Sequence, residues 1–294
     1  MQRRSLAWLL ISAAVLGCSA PGSASPPVSS PSVEPSGSAS ASASASPTDG
    51  SVSPATGLSL VVVGDSIPFN SPEDCPGCTA FVKIYADALA EATGETVRLQ
   101  NLSEHNNLTI SGLLNEIKND RQRIDALTAA DAIIVGIAHN DVPMNRDDDA
   151  CDGPFSETPD WSKFTDECLA TEIDRFTPMY QETYERIAAL RAGKPTILRT
   201  INRYNDWIGW PGHELPAAGV EATARVIKAW NAVICGAAHD NGFECVDIST
   251  RFNGPDGTEP SGPLLAADYT HPSAEGNAVI AEQLIDSGFA PLAP

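Results

Sequence analysis

Two patterns of apolar positions alternate along the chain. Leu58 to Val63 is a short apolar run broken only by Ser59, the pattern of a strand covered on both faces. Phe81, Ile84, Tyr85, Ala88, Leu89 and Ala92 then recur at helical spacing, and Gly94 supplies a helix stop. Val97 to Leu102, Ala132 to Ile137, Thr196 to Ile201 and Cys245 to Ile248 predict four more strands. Leu113 to Ala129, Leu169 to Ala192, Val220 to His239 and Ala274 to Ser287 predict the helices between and after them. Regular alternation of strand and helix implies right-handed crossovers, so the pattern predicts an α/β fold, a three-layer α/β/α sandwich around a five-stranded parallel sheet. In such sheets the working residues collect on loops at the carboxyl ends of the strands.

The N-terminal residues are patterned differently. MQRRSLAWLLISAAVLGC opens on Arg3 and Arg4, runs through an apolar stretch and ends on a small residue before Cys18. That is an export signal, too short to span a membrane. Val15-Leu16-Gly17-Cys18 resembles the bacterial lipoprotein box, which implies acylation of Cys18 and a lipid anchor on the extracellular face of the cell membrane. Cleavage elsewhere would release a secreted protein, and the paired arginines leave twin-arginine export open. Residues 19–56 are almost wholly Ser, Ala, Pro and Gly, and cannot bury enough apolar surface to fold. They read as a tether or a glycosylated stalk. Residues 57–294 are then one domain with its own core.

The formal net charge of −20 argues against nucleic acid or an anionic membrane surface as partner, since these require Lys and Arg to neutralise phosphate. A monomer is expected. Of seven cysteines, Cys18 is set aside by the lipoprotein box. The other six fall in local pairs: Cys75 with Cys78, Cys151 with Cys168, and Cys235 with Cys245. Outside the cytoplasm an even set reads as disulfides, and nearest-neighbour pairing is the simplest arrangement. Cys75-Pro-Gly-Cys78 as a redox or metal motif would need a second CxxC or a thioredoxin-like context.

Three strand ends carry candidate chemistry. Ser66 follows the first strand in Gly64-Asp65-Ser66, where a serine becomes a nucleophile only if a base takes its proton. The third strand ends Gly136-Ile137-Ala138-His139-Asn140-Asp141; the Asn140 amide could donate to an oxyanion or serve a turn. After the last strand, Asp268-Tyr269-Thr270-His271-Pro272 sets a carboxylate and an imidazole three residues apart, able to hold each other while the second ring nitrogen faces a serine.

Together, and in this order, the three motifs resemble the SGNH hydrolases, also called GDSL esterases and lipases, over most of residues 57–294. The resemblance implies a flavodoxin-like sandwich and an extracytoplasmic serine ester hydrolase working through an acyl-enzyme without metal or organic cofactor. It implies Ser66 as nucleophile, His271 as general base and then acid, and Asp268 as its orienter. It also implies an oxyanion hole from the Ser66 and Asn106 backbone N–H groups and the Asn140 side chain. Asn106 stands where the family has a glycine; asparagine is the residue that best tolerates the left-handed backbone glycine would take, so the backbone donor is expected to survive there. The substrate would be a small acyl ester, a lipid or an acetylated sugar. An O-acyltransferase or deacetylase on cell-surface glycan, or an inactive glycan-binding module, are alternatives.

Other candidates have plainer readings. His105 and His139, with Asp141, line the pocket or bond loop backbone rather than hold a metal. Trp207, Trp210 and His213, after the fourth strand, either face a sugar or acyl chain or pack the loop down. The acidic stretch from Asn145 to Asp166 lacks the alternation of a calcium loop and reads as a solvated lid clipped by Cys151 and Cys168.

Overall fold

In the computed structural model of the protein, residues 57–156 and 158–293 are described. Cys18 and the 19–56 tether lie outside them. Five strands, β1 (Leu58–Gly64), β2 (Val97–Asn101), β3 (Ala132–Gly136), β4 (Ile197–Ile201) and β5 (Glu244–Val246), pair in the order β2-β1-β3-β4-β5, all parallel. The chain leaves β1 for the β2 edge and returns to β3 on the other side. The order therefore reverses at β1, and a crevice opens between the carboxyl ends of β1 and β3.

Period-two alternation splits the core. Val61, Val63, Ile133 and Val135 face one side of the sheet, with Leu113, Tyr180 and Trp230. Leu60, Val62, Ala132 and Ile134 face the other, with Phe81, Tyr85 and Ile280. Helices α3 (Ile110–Asn119), α4 (Arg121–Ala129), α5 (Asp166–Leu190) and α6 (Ala217–Asp240) cover the first face. Helices α1 (Ser66–Phe69), α2 (Phe81–Thr93), α7 (Ser249–Asn253) and α8 (Ala274–Asp286) cover the second. This is the α/β/α sandwich with a five-stranded parallel sheet. No helix of the described residues is long and apolar enough to cross a membrane.

Two expectations are corrected. The single helix over Leu113 to Ala129 is two, because Asp120 adopts extended backbone and its carboxylate accepts the Gln122 and Arg123 N–H groups, capping α4. β5 stops before Ile248, since the Ile248 and Ser249 N–H groups turn to Asn202 Oδ1 at 2.9 and 3.0 Å. The acidic stretch is exposed at Asp147, Asp148, Phe155 and Asp160, and it is fastened at its start, where buried Arg146 pairs with buried Glu172 at 2.5 Å, which also accepts the Ala150 N–H at 2.7 Å. The half-cystines pair as Cys75–Cys78, Cys151–Cys168 and Cys235–Cys245, with Cα separations of 5.5, 5.1 and 5.2 Å, inside the usual range.

Candidate active site

Gly64 ends β1 where a Cβ would collide with the Gly136 carbonyl oxygen, so the two strand ends close up only with glycine there. Asp65 follows, almost wholly buried. Its Oδ1 accepts the Ile67 N–H at 3.0 Å, capping α1, and its Oδ2 accepts the Ala138 and His139 N–H groups at 3.1 and 2.9 Å. One carboxylate thereby locks the Ser66 turn onto the loop after β3.

The His271 turn is held from several sides. His271 O accepts the Ala266 N–H at 2.8 Å, Thr270 O accepts the Tyr204 hydroxyl at 2.6 Å, and Tyr269 O accepts Trp210 Nε1–H at 3.2 Å. Tyr269 takes a left-handed φ of 58°, an uncommon conformation for a bulky residue that the surrounding contacts must sustain. In that turn Asp268 Oδ1 accepts the Thr270 and His271 N–H groups, both at 3.0 Å, and Oδ2 lies 2.6 Å from His271 Nδ1. His271 Nε2 is 2.9 Å from Ser66 Oγ. With Nδ1–H given to the carboxylate, Nε2 keeps its lone pair for the serine hydroxyl.

Burial works against charge on His271, but the Asp268 hydrogen bond and charge, with Asp74 and Asp65 adding, outweigh it and raise the imidazole above 6.5. Burial also works against the Asp268 carboxylate, and the His271 ring with the Thr270 and His271 N–H groups holds it below 3.8. Asp74 brings a third carboxylate: its Oδ2 is 3.5 Å from His271 Nε2 and 3.0 Å from His105 Nε2.

Donors for an oxyanion stand nearby. Asn140 spends one amide hydrogen on Leu108 O at 2.9 Å and keeps the other. The backbone N–H groups of Ser66 and Asn106 donate to no described acceptor. The left-handed residue is Asn107 at φ 60°, not Asn106. Both are asparagines, equally suited to that conformation, and Asn106 instead turns its side chain to Glu104 Oε2 at 2.5 Å. A groove of about 480 Å³ opens beside Asn140, lined by Asn107, Thr109, Ser111, Arg146 and Arg175 among others.

His105, His139 and Asp141 do not converge. His105 lies on Asp74. His139 is buried against Asp206 at 3.0 Å, and Arg203 pairs with the same carboxylate at 2.9 Å. Burial opposes the Asp206 charge, yet His139 and Arg203 hold it at about 2. Asp141 is fully buried, accepting the Ile110 N–H at 3.0 Å and the Tyr180 hydroxyl at 3.0 Å. Trp207 packs: it is buried, bonds Asn145 Oδ1 at 2.9 Å through Nε1 and stacks on Trp210. Sequence reasoning missed the fastening role of Asp65, although it stands inside the serine motif. It also missed Asp74, which no local pattern marks.

The fold resembles that of several solved enzymes. The lipase Lip_vut3 from a goat rumen metagenome is 19% identical, with a TM-score of 0.61 over 80% of this chain and 99% of that one. Phospholipase A1 from Streptomyces albidoflavus NA297 is 16% identical, with a TM-score of 0.54 over 78% and 99%. The extracellular lipase from Streptomyces rimosus is 14% identical, with a TM-score of 0.53 over 79% and 100%. No curated protein matches the sequence. Residues 62–279, which hold the serine turn, the Asn140 loop and the Asp268–His271 turn, match one family model, and the chain belongs to the GDSL-like lipase/acylhydrolase family of hydrolases.

Proposed function

We propose that this hydrolase is an extracytoplasmic serine esterase, held to the outer face of a bacterial cell membrane by lipid on Cys18 through a 19–56 tether and acting through an acyl-enzyme. One observation carries the catalytic reading: the relay from Ser66 Oγ to His271 Nε2 at 2.9 Å and from His271 Nδ1 to Asp268 at 2.6 Å. As Ser66 Oγ bonds to the ester carbonyl carbon, its proton passes to Nε2. The C–O bond to the alcohol then breaks, and Nε2 gives that proton to the leaving oxygen. Water attacks the acyl-enzyme, again losing its proton to Nε2, which returns it to Ser66 Oγ as the acid departs. Negative charge on the carbonyl oxygen is met by the Ser66 and Asn106 N–H groups and the Asn140 amide, each donor worth about 3 kcal/mol in the transition state. Base, acid and electrophile are all supplied by side chains and backbone.

The groove that Asn140 lines carries Asn107, Thr109, Ser111, Arg146, Arg175 and one aromatic, Phe176; if the ester reaches into it from Ser66, a short or polar group is favoured over a long acyl chain, because uncompensated burial of polar groups under hydrocarbon is costly. The same lining supports a second reading, a deacetylase or O-acyltransferase on cell-surface glycan, which product analysis with a sugar acceptor separates from simple hydrolysis. A fluorophosphonate probe tests the main reading: it should label wild type and not Ser66→Ala, whose ester hydrolysis should fall by about 10⁴-fold or more. An unlabelled wild type, or equal labelling of the variant, overturns it. Rates on p-nitrophenyl esters should fall as the acyl chain lengthens.

A further inference from the structure

On the rim of the relay stand two side chains, Asp74 and His105, to which the proposed hydrolysis assigns no step. Asp74 sits in the loop between α1 and α2, where the Asp74 and Cys75 N–H groups both return to Ser71 O, at 3.1 and 3.2 Å, and the Cys75–Cys78 bond closes the turn. His105 sits in the loop after β2, its ring stacked on Phe69 at 5.7 Å. Both aim at the same point as His271: one donor atom from each of Asp74, His105 and His271 lies within 4.8 Å of the other two.

Asp74 Oδ2 is shielded from solvent and accepts no well-directed hydrogen bond, although His105 Nε2 is at 3.0 Å and His271 Nε2 at 3.5 Å. A shielded carboxylate oxygen without a donor is unfavourable, and a cation shared with the two imidazoles would satisfy it. Tetrahedral zinc, with bonds of about 2.0–2.2 Å to nitrogen and oxygen, sets its ligand atoms about 3.3–3.5 Å apart. The two separations from Asp74 Oδ2, 3.0 and 3.5 Å, bracket that spacing, and the two imidazole donors lie within 4.8 Å of each other. Two imidazoles and one carboxylate suit zinc, whereas magnesium and calcium take all-oxygen sets. His271 already gives Nδ1–H to Asp268, the support that orients a metal-binding imidazole and leaves Nε2 as the donor.

We propose that Asp74, His105 and His271 form a Zn²⁺ site, and that zinc bound there silences the hydrolase by occupying the Nε2 lone pair that would take the Ser66 proton. Binding forms dative bonds only and breaks no covalent bond, so removal of the ion restores the base. The silencing half rests on the proposed function; the binding half does not.

Two parallel titrations test it. The full chain, without a polyhistidine tag and stripped of metal by chelator, is titrated with zinc chloride in a calorimeter and, separately, in the presence of the fluorophosphonate probe. One zinc should bind per chain, and Asp74→Asn and His105→Gln should each weaken binding by about tenfold or more, since loss of even a supporting group costs roughly 10- to 100-fold. Labelling of Ser66 should fall in step with zinc occupancy, return on chelation, and need about tenfold more zinc in either variant relative to that variant's own zinc-free level. No binding, or equal binding by all three proteins, overturns the site. Binding that leaves labelling unchanged overturns the silencing. A wild type that binds zinc as described but is never labelled supports the site and counts against the proposed function instead.

Discussion

His271 makes two ring hydrogen bonds, Nδ1 with Asp268 and Nε2 with Ser66, and in the proposed mechanism they have different consequences: the first stabilises the imidazolium and the second delivers the proton. Because carboxylates raise the imidazole above 6.5, kcat/KM should decline as pH falls through a value above 6.5, where the base becomes protonated. An acid limb below 6.5 would contradict this. Asp268→Asn removes the foremost of these carboxylates and the bond that fixes the tautomer, so the limb should move down and kcat should drop by about 10⁴-fold. Asp141 gives a separate dependence, in stability. Burial outweighs the Ile110 and Tyr180 bonds and raises Asp141 from 3.8 to about 7, so the folded chain holds a proton there that the unfolded chain has lost. Stability should therefore fall as pH rises from about 4 to about 7, by on the order of 3 kcal/mol. In Asp141→Asn, denaturant midpoints should lose most of that slope.

Among the elements, α8 does more than cover the sheet. Asn277 in its first turn is fully buried; its Oδ1 accepts the Phe81 N–H at 2.9 Å, and its Nδ2 donates to Asn70 Oδ1 at 2.9 Å and Pro272 O at 3.1 Å. Asn70 caps the helix that Ser66 begins, and Pro272 follows His271. One amide thus joins α1, α2 and the His271 turn. Asn277→Ala should cost about 2–4 kcal/mol, since it leaves buried partners unpaired, and should lower kcat more than it changes KM, because it loosens the relay rather than the groove. Unchanged stability with unchanged kcat would contradict the bracing role. The strands were legible because buried parallel strands are apolar runs, and the Asp268–His271 pair because both groups share one turn. The break at Asp120 was not, since apolar spacing continues across it and only the cap geometry interrupts the helix. Arg146 with Glu172 and His139 with Asp206 lie 26 and 67 residues apart. Asp74 reaches His271 only through the fold. Periodicity encodes neighbours along the chain, not such pairs.

At the scale of the whole molecule, the reversal of strand order at β1 gathers the Ser66, Asn140 and His271 loops at one end of the sheet, so the candidate chemistry has a single open side. How that side is presented to substrate depends on attachment. A net charge of −20 repels an anionic lipid surface, and among the described residues no helix can cross a membrane. In the reading proposed above, membrane association comes from covalent lipid on Cys18. In a bacterial host that processes lipoproteins, wild type should sediment with membranes and incorporate a clickable fatty acid. Cys18→Ser should incorporate none and appear in the soluble or extracellular fraction. Activity per fluorophosphonate-labelled Ser66 should be equal in the two, because the relay lies wholly within residues 57–293. A Cys18→Ser protein that stays with the membrane would overturn the anchor while leaving the esterase reading intact; a released protein with altered activity per labelled serine would show instead that the surface takes part in presenting substrate.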